Sequence, residues 1–324
     1  MYQVKRWGKK MMDILFYPLT YIAAVWYKFI VSKGIYLFPV SRSVFMKVGV
    51  LPVPDHYYYP MINPKKYLHK SLREDRSLPG INLNEQGQLA LIAQFRYNEE
   101  LLAIPFESSN KAKDKYYYNN GMFGQGDAEL LFSLIRHFKP RRIIEVGSGS
   151  STLMSLLAIE ANKKENVKYN CDLTCIEPYE MPWLESLNVN LQRVTVERSD
   201  PAFFQSLEEN DILFIDSSHV IRPQGDVLFE YLQLLPLLKK GVIVHVHDIF
   251  TPKDYLDFWV LESHNMWNEQ YLLEAFLSNN EHFEIICALN YLFYHHPEEL
   301  TACCPVLKAN PGFEPRSIWF KKMK

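Results

Sequence analysis

The stretch "RIIEVGSGSST", residues 142–152, decides the fold. Ile143, Ile144 and Val146 make a short apolar strand, and the glycines at 147 and 149 then allow a tight turn. The Ser/Thr positions beyond open a helical pattern whose N-terminus can receive negative charge. Reading outward, this strand–turn–helix unit repeats. Strands are expected at 172–177, 191–197, 211–216, 241–247, 283–288 and 317–322, and helices at 128–138, 151–161, 181–188, 201–208, 226–238 and 268–279. Strands alternating with helices imply a parallel sheet covered on both faces. Such sheets bind ligands at the carboxyl ends of their strands, where the topology switches.

Composition narrows the class. The chain has 324 residues, is 48% hydrophobic and 22% charged, and carries a net charge of −2. It is therefore globular, and it lacks the basic excess of a nucleic-acid binder. Five cysteines without CxxC spacing suggest neither a disulfide framework nor a zinc knuckle, which fits a reducing cytoplasm.

The first 84 residues read as an N-terminal extension, and residues 85–324 as the main domain. Within the extension, the uncharged run at 14–27 ends at Lys28 and contains Pro18, short of the roughly 20 apolar residues of a spanning helix. No small-residue cleavage site follows it. Residues 1–50 hold eight lysines and arginines against one acid, Asp13. That balance suits a helix lying peripherally on an anionic membrane surface. Packing on the main domain, or on a partner subunit in a homo-oligomer, is the other reading.

The strand tips carry the chemistry. At the first, Glu145 precedes the Gly147-Ser148-Gly149 turn. The dinucleotide pattern GxGxxG fails there, because Thr152 stands at the third glycine position. An acid at 145 would repel a pyrophosphate but suit a ligand carrying an ammonium group and a sulfonium. Glu177 ends the second strand, where a carboxylate can accept both hydroxyls of a ribose. Asp200 could meet an adenine amino group, although a helix N-cap before Pro201 is the favoured reading. Asp216 ends the fourth strand with His219 just behind it. The fifth, "GVIVHVHDIF" (241–250), ends on His247 and Asp248. His245 lies a pleat deeper and reads as a hydrogen-bonded core histidine. The tyrosine runs 57–59 and 116–118 could stack on an acceptor or pack the extension.

"IIEVGSGSST", "CIEPYE", "ILFIDSSHV" and "GVIVHVHDI" together resemble the class I S-adenosylmethionine-dependent methyltransferases, in the branch of macrocin-type sugar O-methyltransferases and CmcI-like enzymes. The resemblance covers about residues 120–322. It implies a Rossmann-like sheet of order 3-2-1-4-5-7-6 with the seventh strand antiparallel. It also implies S-adenosylmethionine held by Glu145, Gly147, Ser148, Gly149 and Glu177, with Asp127, Asp200 and Asp216 as further contacts. His219 then looks like the general base, beside Asp216 and Asp248. A divalent ion, Mg²⁺ in the relatives, would sit on Asp216, His247 and Asp248. His247 replaces their usual carboxylate: either the metal differs, since an imidazole with two carboxylates also suits Mn²⁺, Fe²⁺ or Zn²⁺, or His247 is not a direct ligand, or no metal binds.

The expected activity is O-methylation of a sugar, polysaccharide or other small-molecule hydroxyl in the cytoplasm or on the inner membrane face. The rivals are an NAD(P)-dependent oxidoreductase, disfavoured by Glu145 and the missing glycine, and a cofactor-binding or assembly protein without catalysis.

Overall fold

The computed structural model describes residues 2–108, 114–179 and 181–324, with backbone alone for 2–6. Contacts divide the chain into two compact units, Met1–Lys70 and Ser71–Lys324. The first contains helix α1 (Tyr2–Lys33) and helix α2 (Pro39–Val48). Ile30 and Phe45 are buried there, with Tyr27 edge-on to Phe45 at 5.0 Å. Neither Pro18 nor Lys28 ends α1, so the apolar helix is longer than the charge-free run in the sequence.

Residues 71–84, read from sequence with the extension, belong to the second unit. Arg76 pairs with Glu274 at 2.5 Å and Arg73 with Glu314 at 2.6 Å.

The second unit is built on a seven-stranded sheet of order β3-β2-β1-β4-β5-β7-β6. The strands are β1 (Arg142–Val146), β2 (Asp172–Ile176), β3 (Asn190–Gln192), β4 (Ile212–Ile215), β5 (Ile243–His247), β6 (Phe283–Ala288) and β7 (Ser317–Lys322). β7 runs antiparallel to both neighbours, and the other pairings are parallel. The Rossmann-like order expected from sequence is the one found. β3 is shorter than the expected 191–197, because 196–198 turns into a 3-10 helix.

Strand alternation splits the core in two. Ile143, Leu173, Ile212, Phe214 and Ile243 face helices α3 (Asp127–Phe138) and α4 (Ser150–Glu165) on one side. Ile144, Ile176, Leu213, Ile215 and Val246 face the other. Each such fully buried side chain stabilises the fold by about 1.5–3 kcal/mol. Register then fixes the functional edge. Val146 lies beside both Ile176 and Ile215, and Ile215 beside Val246, so the residues after β1, β2, β4 and β5 emerge together.

Candidate active site

Along that edge runs a cleft of about 720 Å³. At its centre, the turn after β1 is closed by backbone hydrogen bonds: Gly147 N–H donates to Ile176 O at 3.0 Å, and Asp216 N–H to Val146 O at 2.9 Å. Gly147 has φ +75°, and a Cβ there would lie 1.8 Å from the carbonyl oxygen of Asp216. Only glycine fits this crossing of β1 and β4. Beyond it, Ser148 N–H donates to Glu177 Oε2 at 3.3 Å, which couples the turn to the β2 tip.

The loops after β4 and β5 supply a second constellation. His219 has φ +59° and Asp248 φ +55°, so both tips turn through the left-handed region. Non-glycine residues rarely hold that conformation without support, and such positions concentrate at functional sites. The support is visible at His219, whose carbonyl accepts the N–H groups of Asn268 (3.0 Å) and Glu269 (3.2 Å). These residues open helix α5 (Glu269–Leu277).

The His219 ring is held at both nitrogens. Nδ1 lies 2.8 Å from Oε2 of the fully buried Glu269, whose other oxygen accepts the Tyr231 hydroxyl at 3.0 Å. Nε2 faces the cleft, 3.3 Å from Asp216 Oδ1 and 3.4 Å from Asp248 Oδ2. Asp248 Oδ1 in turn pairs with Arg316 Nε at 2.7 Å. The Arg316 guanidinium rests on the rings of Trp259 (5.2 Å) and Phe313 (4.9 Å). Trp267 packs 4.6 Å from the His219 ring and 4.8 Å from Trp259.

A methyltransferase domain model matches residues 144–249, which span β1 to the loop after β5. An uncharacterized protein of Archaeoglobus fulgidus is 35% identical over 192 residues, covering 56% of this chain and 84% of that protein. The chain carries a methyltransferase domain, that of an S-adenosylmethionine-dependent enzyme. Among solved structures, it is similar to the O-methyltransferase TomG of Streptomyces achromogenes in complex with SAM. That match has TM-score 0.36 and 13% identity, over 75% of this chain and 92% of that one. It is also similar to an O-methyltransferase of Bacillus cereus in complex with SAH, at TM-score 0.35 and 12% identity, over 74% and 91%.

The methyltransferase's cleft gathers Gly147, Ser148, Gly149, Glu177, Asp216, His219, His247 and Asp248 from the residues singled out in the sequence. Glu145, Asp127 and Asp200 do not line it. Glu145 shares the sheet face of Ile143, so it points under α4. Its oxygens accept Ser151 Oγ–H (2.5 Å) and Thr152 Oγ1–H (2.7 Å). Burial pushes its carboxyl up to about 7, against the opposing effect of those hydrogen bonds. Thr152 Oγ1 also accepts Gly149 N–H at 3.0 Å, so Glu145 braces the glycine turn from below. Asp127 is fully buried and accepts the Arg316 backbone N–H at 3.1 Å. Asp200 caps its helix by accepting Ala202 N–H at 2.9 Å, and Thr195, Val196 and Glu197 line the cleft nearby instead.

His247 enters the cleft with Nε2 3.7 Å from Asp248 Oδ1, but it lies outside the group of clustered metal-competent donors. That group is Asp216, His219 and Asp248, whose donor atoms lie within 4.8 Å of one another. His245 is a core residue, held by stacking on Phe214 at 3.9 Å rather than by a hydrogen bond. Burial drives its pKa well below the usual histidine range, so it is neutral. Tyr116 and Tyr118 are core residues bonded to backbone carbonyls. Glu269, Arg316, Trp259 and Trp267 had no signal in the sequence beyond being polar or aromatic.

Electrostatics set the proton inventory. Burial works against a charged His219, but hydrogen bonds with Asp216 and Glu269 and the charge of Asp248 outweigh it. The imidazole's pKa lies well above its usual value, and without ligands it holds its proton at neutral pH. Burial would raise Asp216. The charges of His247 and Arg316, with the hydrogen bond to His219, hold it below the usual carboxylate range instead. Glu230, buried beside Glu269, is pushed well up and stays neutral, accepting Ser217 Oγ–H at 3.0 Å.

Proposed function

We propose that the protein transfers a methyl group to a hydroxyl oxygen of a ring-bearing small molecule or glycan, with His219 as the general base. The observation that carries this reading is the placement of His219: Nδ1 fixed by buried Glu269, Nε2 open to the cleft between two carboxylates. Bound S-adenosylmethionine supplies an electrophilic methyl on a cationic sulfur. Alignment and a usable nucleophile are then what the protein must provide.

The glycine turn and Glu177 fit the cofactor: backbone can approach closely at 147–149, and the β2 tip presents a carboxylate for a ribose. With the cofactor bound, a hydroxyl placed against Nε2 would give its proton to the imidazole while its oxygen bonds the methyl carbon, the carbon–sulfur bond breaking and its electron pair leaving on sulfur as a neutral thioether. Asp216 and Asp248 stabilise the imidazolium so formed, and Arg316 restrains Asp248. His219 would hold its resting proton less tightly beside a bound cationic sulfonium, which would ready the base when the cofactor is in place. Trp259 and Trp267 offer flat apolar faces beside the base, with Arg222 on the same cleft, which supports a sugar or other ring alcohol as acceptor.

The donor set of Asp216, His219 and Asp248 also fits one divalent cation, which would acidify the acceptor hydroxyl. His219 Nε2 cannot both bind that cation and take the proton. Arg316 already places a positive charge on Asp248, which favours the reading without metal.

An acceptor screen with methyl-labelled cofactor, run with and without chelator, tests the proposal. Label is expected on ring alcohols and is insensitive to chelator. Activity lost to chelator and restored by Mn²⁺ or Mg²⁺ would transfer the role to a metal. Cofactor binding with no turnover on any acceptor would favour a binding protein without catalysis.

A further inference from the structure

We propose that α1 anchors this protein in a lipid bilayer. Residues Trp7–Lys33 form 27 residues of continuous helix, whose most apolar 18-residue stretch has mean hydropathy 1.5 and is only 6% buried within the protein. At about 1.5 Å per residue the helix is roughly 40 Å long, enough for a hydrocarbon core of about 30 Å. The sequence alone set the segment at 14 uncharged residues. The structure carries the helix through Pro18 and Lys28, and prolines are tolerated in helices within membranes.

The distribution of apolar side chains chooses the partner. Ile14, Leu15, Phe16 and Tyr17 are consecutive and all exposed. At about 100° per residue they point around the whole circumference. A helix docking on a second protein needs an apolar stripe and keeps a polar face, whereas lipid solvates every face at once.

The ends agree with this. Trp7 and Trp26 lie 19 residues apart, about 28 Å along the axis. That matches the separation of the two interfacial zones where Trp and Tyr accumulate. Lys9 and Lys10 at one end, and Lys28 and Lys33 at the other, can extend their ammonium groups to the headgroups. Asp13, one turn from Lys9 and Lys10, is within reach of a compensating charge. α2 adds exposed Val40, Val44, Met46 and Val48 with Arg42 and Lys47, a composition suited to the headgroup boundary.

The test is flotation of the full-length protein after detergent removal into phosphatidylcholine–phosphatidylglycerol vesicles. Wild type is expected to float, and to stay with the vesicles through an alkaline wash. The triple variant Leu15→Asp, Ile22→Asp, Val25→Asp is expected to lose most of the floating fraction. Its unchanged S-adenosylmethionine affinity would show that the second unit remains folded. A wild-type protein left at the bottom of the gradient would overturn the proposal. So would a triple variant that floats equally well, or a mature protein whose N-terminus starts beyond Lys33.

Discussion

His219 is pinned at Nδ1 by Glu269, a residue fifty positions later in the chain, and the site's behaviour depends on that contact. Glu269 and Asp216 raise the imidazole's pKa, and only the neutral ring can accept a proton. Turnover is therefore expected to climb with pH through a limb above the ordinary histidine value of about 6.5. In Glu269→Gln, one negative charge is gone and the imidazolium is less favoured, so the limb moves to lower pH. Loss of the fixed ring orientation lowers kcat by roughly 10–100-fold, while cofactor affinity changes little. A pH–rate profile beside a binding isotherm checks both. A purely structural role for Glu269 would lower the folded fraction and leave the limb where it was.

At the scale of elements, the strand–turn–helix units from 142 onward are legible because apolar runs, glycines and helix caps coincide. Besides the shortened β3, some helical segments departed from expectation for local reasons. Residues 181–188 hold a 3-10 segment, Pro182–Ser186, rather than a full helix, with proline at its start. The helix expected at 226–238 widens into a π-helix at Glu230–Leu234, two residues before Pro236. Glu145 differs from the other strand-tip acids. Its position in the chain suggested a ligand contact, but strand alternation turns it beneath α4, where Ser151 and Thr152 hold it.

That placement has a pH consequence. With a folded pKa near 7 against about 4.3 in the unfolded chain, Glu145 favours folding in its protonated form. The contribution is complete below about pH 4 and is lost as pH rises through 7, by about 4 kcal/mol at most. Denaturant unfolding of wild type and Glu145→Gln at pH 5 and pH 8 is expected to show the variant gaining relative stability at pH 8. A stability difference independent of pH would contradict it.

For the whole molecule, the sequence was most informative where a residue lining the cleft follows a single strand tip, as at Gly147, Glu177, Asp216 and Asp248. It was silent where the site is assembled from distant segments. Arg316 reaches Asp248 only because β7 inserts antiparallel next to β5, and Trp259, Trp267 and Glu269 arrive on the segment between β5 and β6. No periodicity or spacing encodes such meetings. The cluster able to hold a cation shows the same limit: His247 adjoins Asp248 in sequence, yet the donor atoms that lie within 4.8 Å of one another are those of Asp216, His219 and Asp248.

The central claim is that His219 is the base of a methyl transfer, and one comparison tests it most directly. Cofactor binding by calorimetry and label transfer to an acceptor are measured on wild type and on His219→Ala. The account predicts unchanged S-adenosylmethionine affinity in the variant and turnover reduced by about 10²–10⁴-fold. A variant that binds cofactor and methylates at the wild-type rate would contradict it.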